Sequence, residues 1–256
     1  YKRKRRSKRK TRKFKQYGGQ LSPRLQSMLL PQRTFTDDQL FGDNTRANTK
    51  FRKYYNYYME GGEFHQMLLD MSNRFPPEII EQILSFSDGN HFRLSLTSNQ
   101  ITDISPLRNL TNLTYLNLNH NQITDISPLS GLTNLTTLSL TRNQITDISP
   151  LSGLTNLTDL SLSWNPIEDM LTLSGLTNLT TLRLINNQIT NISPLSGLTN
   201  LTILYLSQNQ ITDISPLENL TNLTHLSLPW NIIEDISPLS GLTNLTTLRL
   251  INNQIT

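Results

Sequence analysis

The amino-acid sequence predicts an α/β solenoid: a horseshoe with short parallel strands on its concave face, preceded by a helical N-terminal cap and an extended basic tail. Two observations predict it. A 22-residue unit with the skeleton L-x-x-L-x-L-x-x-N-x-I recurs without slippage from His91 to Thr256. Ahead of it the composition changes: eleven of the 23 Lys and Arg lie in residues 1–15, whereas residues 91–256 hold five Arg, no Lys and ten acidic groups. The formal charge of +4 therefore hides a strongly basic tail on a mildly acidic body.

The units follow one another in a fixed register. A weaker first copy uses Leu94, Leu96, Asn99 and Ile101, and the clearest copies run Leu113, Leu116, Leu118, Asn121, Ile123 and Leu135, Leu138, Leu140, Asn143, Ile145. Leu157, Leu179, Leu201, Leu223 and Leu245 continue the series, each followed by its asparagine at Asn165, Asn187, Asn209, Asn231 and Asn253. A period of this length and spacing is that of a leucine-rich-repeat solenoid. The leucines of L-x-L are expected to point inward and the residues between them outward. One repeat cannot bury enough to order itself, so stability comes from stacking. The asparagine column is expected to satisfy backbone groups of the turn. In the I-T-D-I-S-P-L segments, Asp103, Asp125, Asp147, Asp213 and Asp235 are expected to cap the next turn rather than to hold a metal.

A longer period overlies the short one. SGLTNLTTLRLINNQIT at residues 174–190 recurs unchanged at 240–256, and SLSWNPIED at 161–169 matches SLPWNIIED at 227–235. A block of three repeats, 66 residues, has been duplicated, and any surface it carries recurs roughly 15 Å away at about 4.8 Å per strand.

The domain plan is a basic, tyrosine-rich tail over residues 1–62, a helical segment or cap over 63–90, and about eight repeats over 91–256, the last incomplete. Residues 1–50 are too charged and too poor in apolar groups to fold alone. FRKYYNYYME at 51–60 packs five aromatics into a short span; it reads either as an element docking on the solenoid or as an adhesive segment gripping a neighbouring subunit. Pro76, Pro77 and Glu78 open a predicted helix, with Ile79, Ile80, Ile83 and Leu84 on one face. The chain begins at Tyr1 and stops at Thr256 in mid-repeat, which predicts that it belongs to a longer protein.

Several function classes are disfavoured. With no cysteine there is neither a disulfide framework nor a thiolate metal site. No apolar run approaches the roughly 18–20 residues of a transmembrane helix, and no signal-peptide core follows the basic start. There is no phosphate loop, nucleophile elbow or H-E-x-x-H pair, and His65, His91, His120 and His225 are scattered. An enzyme, a metal and a cofactor are therefore not expected. Asn-Leu-Thr recurs at Asn112, Asn134, Asn156, Asn178, Asn200, Asn222 and Asn244, and glycan acceptors about 5 Å apart are too close for a sugar on every turn. That favours an intracellular or virion-associated location over secretion.

Candidate binding residues are the exceptions to a face of Thr, Ser and Asn. They are Tyr115, Trp164, Arg183, Tyr205, Trp230 and Arg249, the residue types that dominate protein-binding hot spots. Lys2, Arg3, Lys4, Arg5, Arg6, Lys8, Arg9, Lys10, Arg12 and Lys13 are candidates for an anionic partner, either nucleic acid or a neighbouring subunit of a larger assembly.

Three resemblances add to this reading. LTNLTYLNLNHNQITDISPLSGLTNL closely resembles the 22-residue leucine-rich repeats of bacterial internalins, which implies a protein ligand on the concave face. Residues 75–86, FPPEIIEQILSF, resemble the opening of an F-box, with Phe75 in the leucine position; the repeats begin too soon for the remaining F-box helices. The Lys/Arg arm ending in Tyr17-Gly18-Gly19 is similar to tails in proteins of large DNA viruses, which implies a virion component. The leading expectation is a non-enzymatic interaction and structural scaffold, with a ubiquitin-ligase substrate adaptor and an internalin-like adhesin as alternatives.

Overall fold

The computed structural model describes residues 92–256, within the compact unit His91–Thr256. The expected cap helix with Pro76, Pro77, Glu78, Ile79, Ile80, Ile83 and Leu84, and the basic tail from Lys2 to Lys13, lie outside the described residues.

Eight strands form one open parallel sheet in chain order: β1 (Phe92–Ser95), β2 (Leu113–Asn117), β3 (Thr137–Ser139), β4 (Asp159–Ser161), β5 (Thr181–Arg183), β6 (Ile203–Tyr205), β7 (His225–Ser227) and β8 (Thr247–Arg249). Each strand pairs with the next in a register of one repeat, as in Leu116 with Leu138 and Leu138 with Leu160. The sheet therefore aligns chemically equivalent positions into columns. Leucine stacks on leucine inside, and variation is confined to the outward columns.

Seven apolar side chains per repeat make the core. In the β2 repeat these are Leu113, Leu116, Leu118, Ile123, Ile126, Leu129 and Leu132, all at most 1% exposed. The last four lie three residues apart, and the backbone follows that spacing. Leu129 donates to the Ile126 carbonyl, Leu132 to Leu129 and Leu135 to Leu132, at 2.9–3.0 Å. A period of three is that of the 3₁₀ helix, in which side chains at i and i+3 eclipse. Apolar groups at this spacing all face inward only if the return segment is wound so tightly. The side of the solenoid opposite the strands accordingly carries short 3₁₀ turns such as Ser127–Leu129, with Pro128 in the first turn, and no α-helix occurs among the described residues. In the β4 repeat Met170-Leu171-Thr172-Leu173 replaces Ile-Ser-Pro-Leu. There the 3₁₀ stretch runs Leu171–Gly175, as long as the Ser237–Gly241 stretch of the β7 repeat, and Leu171 is left 67% exposed.

Three polar ladders bind coil to coil. The Asn121 side-chain oxygen accepts from the Asn99 and Ile101 amides of the preceding repeat, while its Nδ2 donates to the Leu96 and Leu118 carbonyls. Asn143, Asn165, Asn187, Asn209 and Asn231 each accept the isoleucine amide of the preceding repeat and donate to a carbonyl in each of two coils, and all are buried. The second and third ladders come from Asn-Leu-Thr. Asn134 Nδ2 donates to the Thr111 carbonyl, and Thr136 donates to the Thr114 carbonyl from both its amide and its hydroxyl. The motif that reads as a glycan acceptor in sequence is thus an inter-repeat staple in the fold. The aspartates behave as caps: Asp125 Oδ1 accepts the Ser127 amide at 2.8 Å, and Asp103, Asp147, Asp213 and Asp235 each do the same two residues on.

Candidate protein-interaction face

The outward strand positions form two columns. One runs Arg93, Tyr115, Thr137, Asp159, Thr181, Ile203, His225 and Thr247; the other runs Ser95, Asn117, Ser139, Ser161, Arg183, Tyr205, Ser227 and Arg249. Tyr115, Arg183, Tyr205 and Arg249 thus project from strands. Trp164 and Trp230 lie three residues beyond the ends of β4 and β7, next to the buried Asn165 and Asn231.

Their place in that turn is unusual. In every repeat the residue before the ladder asparagine has a left-handed backbone: Ser98, His120, Arg142, Trp164, Asn186, Gln208, Trp230 and Asn252, with φ between 54° and 62°. The turn imposes it, because the next residue must drive its amide into the core side of the coil. Asparagine tolerates this region, whereas a bulky side chain at positive φ is strained. Trp164 and Trp230 are nevertheless there, 43% and 59% exposed.

Much of the polar background is already engaged. Asn119 Oδ1 accepts from the Ser139 hydroxyl at 2.8 Å and the Thr141 amide at 2.7 Å, and the Thr141 and Ser161 hydroxyls share a 2.8 Å bond. Ser163 Oγ accepts the Ile185 amide, and the Ser207 and Ser227 hydroxyls bond at 3.0 Å. This lattice, densest around β3 to β5 and with the Ser207–Ser227 pair beyond it at β6 and β7, spends its donors and acceptors internally. From β5 onward the face becomes apolar and aromatic, with Ile185, Ile203, Tyr205, Pro229, Trp230 and Ile251.

The sheet brings three of the six candidates against partners that single-residue reading does not show. Arg93 lies over the Tyr115 ring, 4.2 Å from its centroid, and Arg142 lies over Trp164 at 4.9 Å. Arg183 donates to Asp159 Oδ1 at 2.7 Å. The two cation–ring pairs are 22 residues apart, so aligning the repeats in columns would have found them; the ion pair runs diagonally, at 24. Three of the five arginines of residues 91–256 lie in these columns, with Asp159 as their one acidic member, and a fourth, Arg142, lies in the turn position beside them. The other acidic groups sit on the segment leading into the 3₁₀ turns or at Glu218, just after one.

The family model described as "Leucine Rich repeats (2 copies)" matches residues 93–131, 133–176, 177–219 and 199–231, together more than half of the sequence. The chain belongs to the leucine-rich-repeat family. Among solved structures it is similar to internalin C2 of Listeria monocytogenes, at 46% identity and a TM-score of 0.63, over 64% of this chain and 73% of that one. A second internalin of the same bacterium is 38% identical, with a TM-score of 0.58 over 64% of this chain and 56% of that one. The leucine-rich-repeat ectodomain of the plant receptor kinase GASSHO1/SCHENGEN3 from Arabidopsis thaliana, solved in complex with Casparian strip integrity factor 2, is 28% identical, with a TM-score of 0.58 over 63% of this chain and 21% of that one. No curated protein matches the chain. Leucine-rich-repeat proteins generally serve in protein–protein interaction. Among the described residues no helix is long and apolar enough to cross a membrane.

Proposed function

We propose that the solenoid is a non-enzymatic docking platform that binds a protein on its strand face, while the basic N-terminal region anchors the molecule in a larger anionic assembly such as a virus particle. One observation carries the first half. Large aromatic and cationic side chains gather in the outward columns and the adjoining turns of a face whose small polar groups are bonded to one another. Two of them, Trp164 and Trp230, are held at a backbone cost that packing does not require. The plant ectodomain solved in complex with Casparian strip integrity factor 2 supports the use of the fold as a docking platform. The second half is supported by eleven Lys and Arg in residues 1–15, enough to neutralise several phosphates or carboxylates.

Photo-crosslinking residues at positions 205 and 230 test the first half, with position 130 on the opposite side as control. Cross-links to a protein from the strand face and not from position 130 are expected; cross-links from position 130 alone would refute the reading. Removal of residues 1–15 is expected to release the protein from its assembly at lower salt. A second reading, an internalin-like adhesin, is favoured by the 46% identity to internalin C2; it requires the protein to be found on the surface of intact cells. The F-box-like reading concerns residues 75–86, and recovery of a ligase subunit, abolished by Ile80→Asp with Leu84→Asp, is its test.

A further inference from the structure

The duplicated blocks carry the same tryptophan and the same arginine, but not the same neighbours. In the first block Arg142 covers the Trp164 ring and Asp159 holds Arg183. Sixty-six residues on, Gln208 stands in the place of Arg142, and His225 in the place of Asp159. The residues on the far side of each tryptophan are unchanged, Ile185-Asn186 against Ile251-Asn252. Trp230 is 59% exposed against 43% for Trp164, as the loss of a covering guanidinium requires. Arg249 has no carboxylate at the position from which Asp159 reaches Arg183, because His225 stands there.

We propose that the second block is the open form of a site the first block holds closed, and that its occupant is an extended protein segment presenting a carboxylate to Arg249 and a cationic side chain to the face of Trp230. This rests on the strand face being the docking surface, and it names the half that binds and the chemistry of what is bound. The first block supplies the template. Asp159 and Arg142 show which groups the arginine and the tryptophan accept when partners are at hand, a charge-assisted hydrogen bond and a cation over an indole. Where the chain does not provide those groups, a ligand does. Arg142 and Asp159 also keep a second segment from seating on Trp164 and Arg183, so the duplication yields one site instead of two.

The test transplants side-chain pairs between blocks in the full chain. The probe is an array of extended octapeptides of Gly and Ser carrying one Glu and one Arg at every mutual spacing, with single-charge peptides alongside. Wild-type protein is expected to bind two-charge peptides, one per molecule. Closing the second block with His225→Asp and Gln208→Arg is expected to weaken that binding by about tenfold or more. Opening the first block with Asp159→His and Arg142→Gln is expected to raise the stoichiometry from one to two. Each substituted residue already exists at the equivalent backbone position of the other block, so the folds should hold, and unchanged unfolding midpoints check this. Binding indifferent to the closing pair, equal binding of single-charge peptides, or no binding would each overturn the inference. Photo-crosslinks from position 230 separate the two levels: a protein on the strand face with no effect of the closing pair sinks this inference alone, and no protein there sinks both.

Discussion

The side-chain oxygen of Asn165 accepts the amide of Ile145, one repeat back, at 3.0 Å, and its Nδ2 donates to the carbonyls of Leu140 and Leu162 at the same distance. One buried amide thus satisfies backbone groups in two coils at once. Asn165→Ala strands the Ile145 amide away from water, at about 1–3 kcal/mol, and takes one of two side-chain donors from each carbonyl, Leu140 keeping Asn143 Nδ2 and Leu162 keeping Asn187 Nδ2, at about 0.5–1.5 kcal/mol for each bond lost. A loss of about 2–5 kcal/mol in urea unfolding is expected. Asn134, exposed and with an inter-repeat bond to the Thr111 carbonyl, is expected to lose less on the same substitution because water reaches its partner. Equal losses at the two sites would show that the ladder is not what holds the coils.

Trp230 is predicted to be worth more to a ligand than to the fold. Its left-handed backbone costs on the order of 1 kcal/mol, and asparagine holds the same position at Asn186 and Asn252. Trp230→Asn is therefore expected to raise the thermal midpoint by about 2–4 °C, as roughly 1 kcal/mol does in a domain of this size. Trp164→Asn should gain less, since it also removes the stacking of Arg142. A lower midpoint for Trp230→Asn would mean that the ring supports the turn.

The core is legible in the sequence because a sheet built one repeat at a time converts periodicity into columns. The Leu116 and Leu138 register, the buried asparagines and the capping aspartates all follow from spacing alone. Two things do not follow from the consensus. The return segment reads as generic α/β until the three-residue spacing of Ile126, Leu129, Leu132 and Leu135 is seen as a 3₁₀ period. Asn-Leu-Thr reads as a surface motif because its bonds go to carbonyls 22 or 23 residues away. The candidate site was legible as residue types and not as pairs: choosing Trp164 and Arg183 by type does not show that Arg142 and Asp159 occupy them.

The Asp159–Arg183 pair is expected to contribute little to stability. Both side chains are about one-third exposed, and solvent-screened pairs are worth about 0.2–1 kcal/mol. A double-mutant cycle with Asp159→Ala and Arg183→Ala should return a coupling of about 0.5 kcal/mol that shrinks as salt rises. Coupling above about 2 kcal/mol would make the pair a structural clamp instead of a plug in a binding site.

Acid should loosen the solenoid through its turn caps. Asp147, Asp213 and Asp235 are held below the ordinary aspartate value by the amide and then the hydroxyl of the serine two residues on, bonds that favour the ionised carboxylate. A group whose folded value is depressed adds stability that is fully present above its unfolded value and is lost as the pH falls through the folded one. The thermal midpoint is therefore expected to be insensitive to these groups near neutrality, and to fall once the pH drops below the ordinary aspartate range of about 3.9. The fifth repeat supplies the control, since Asn191 caps the Ser193 amide at 2.9 Å without titrating. Replacing all three aspartates with asparagine should keep the caps and flatten the acid limb of the midpoint curve. An acid limb as steep as that of the unmodified chain would show that other carboxylates govern it.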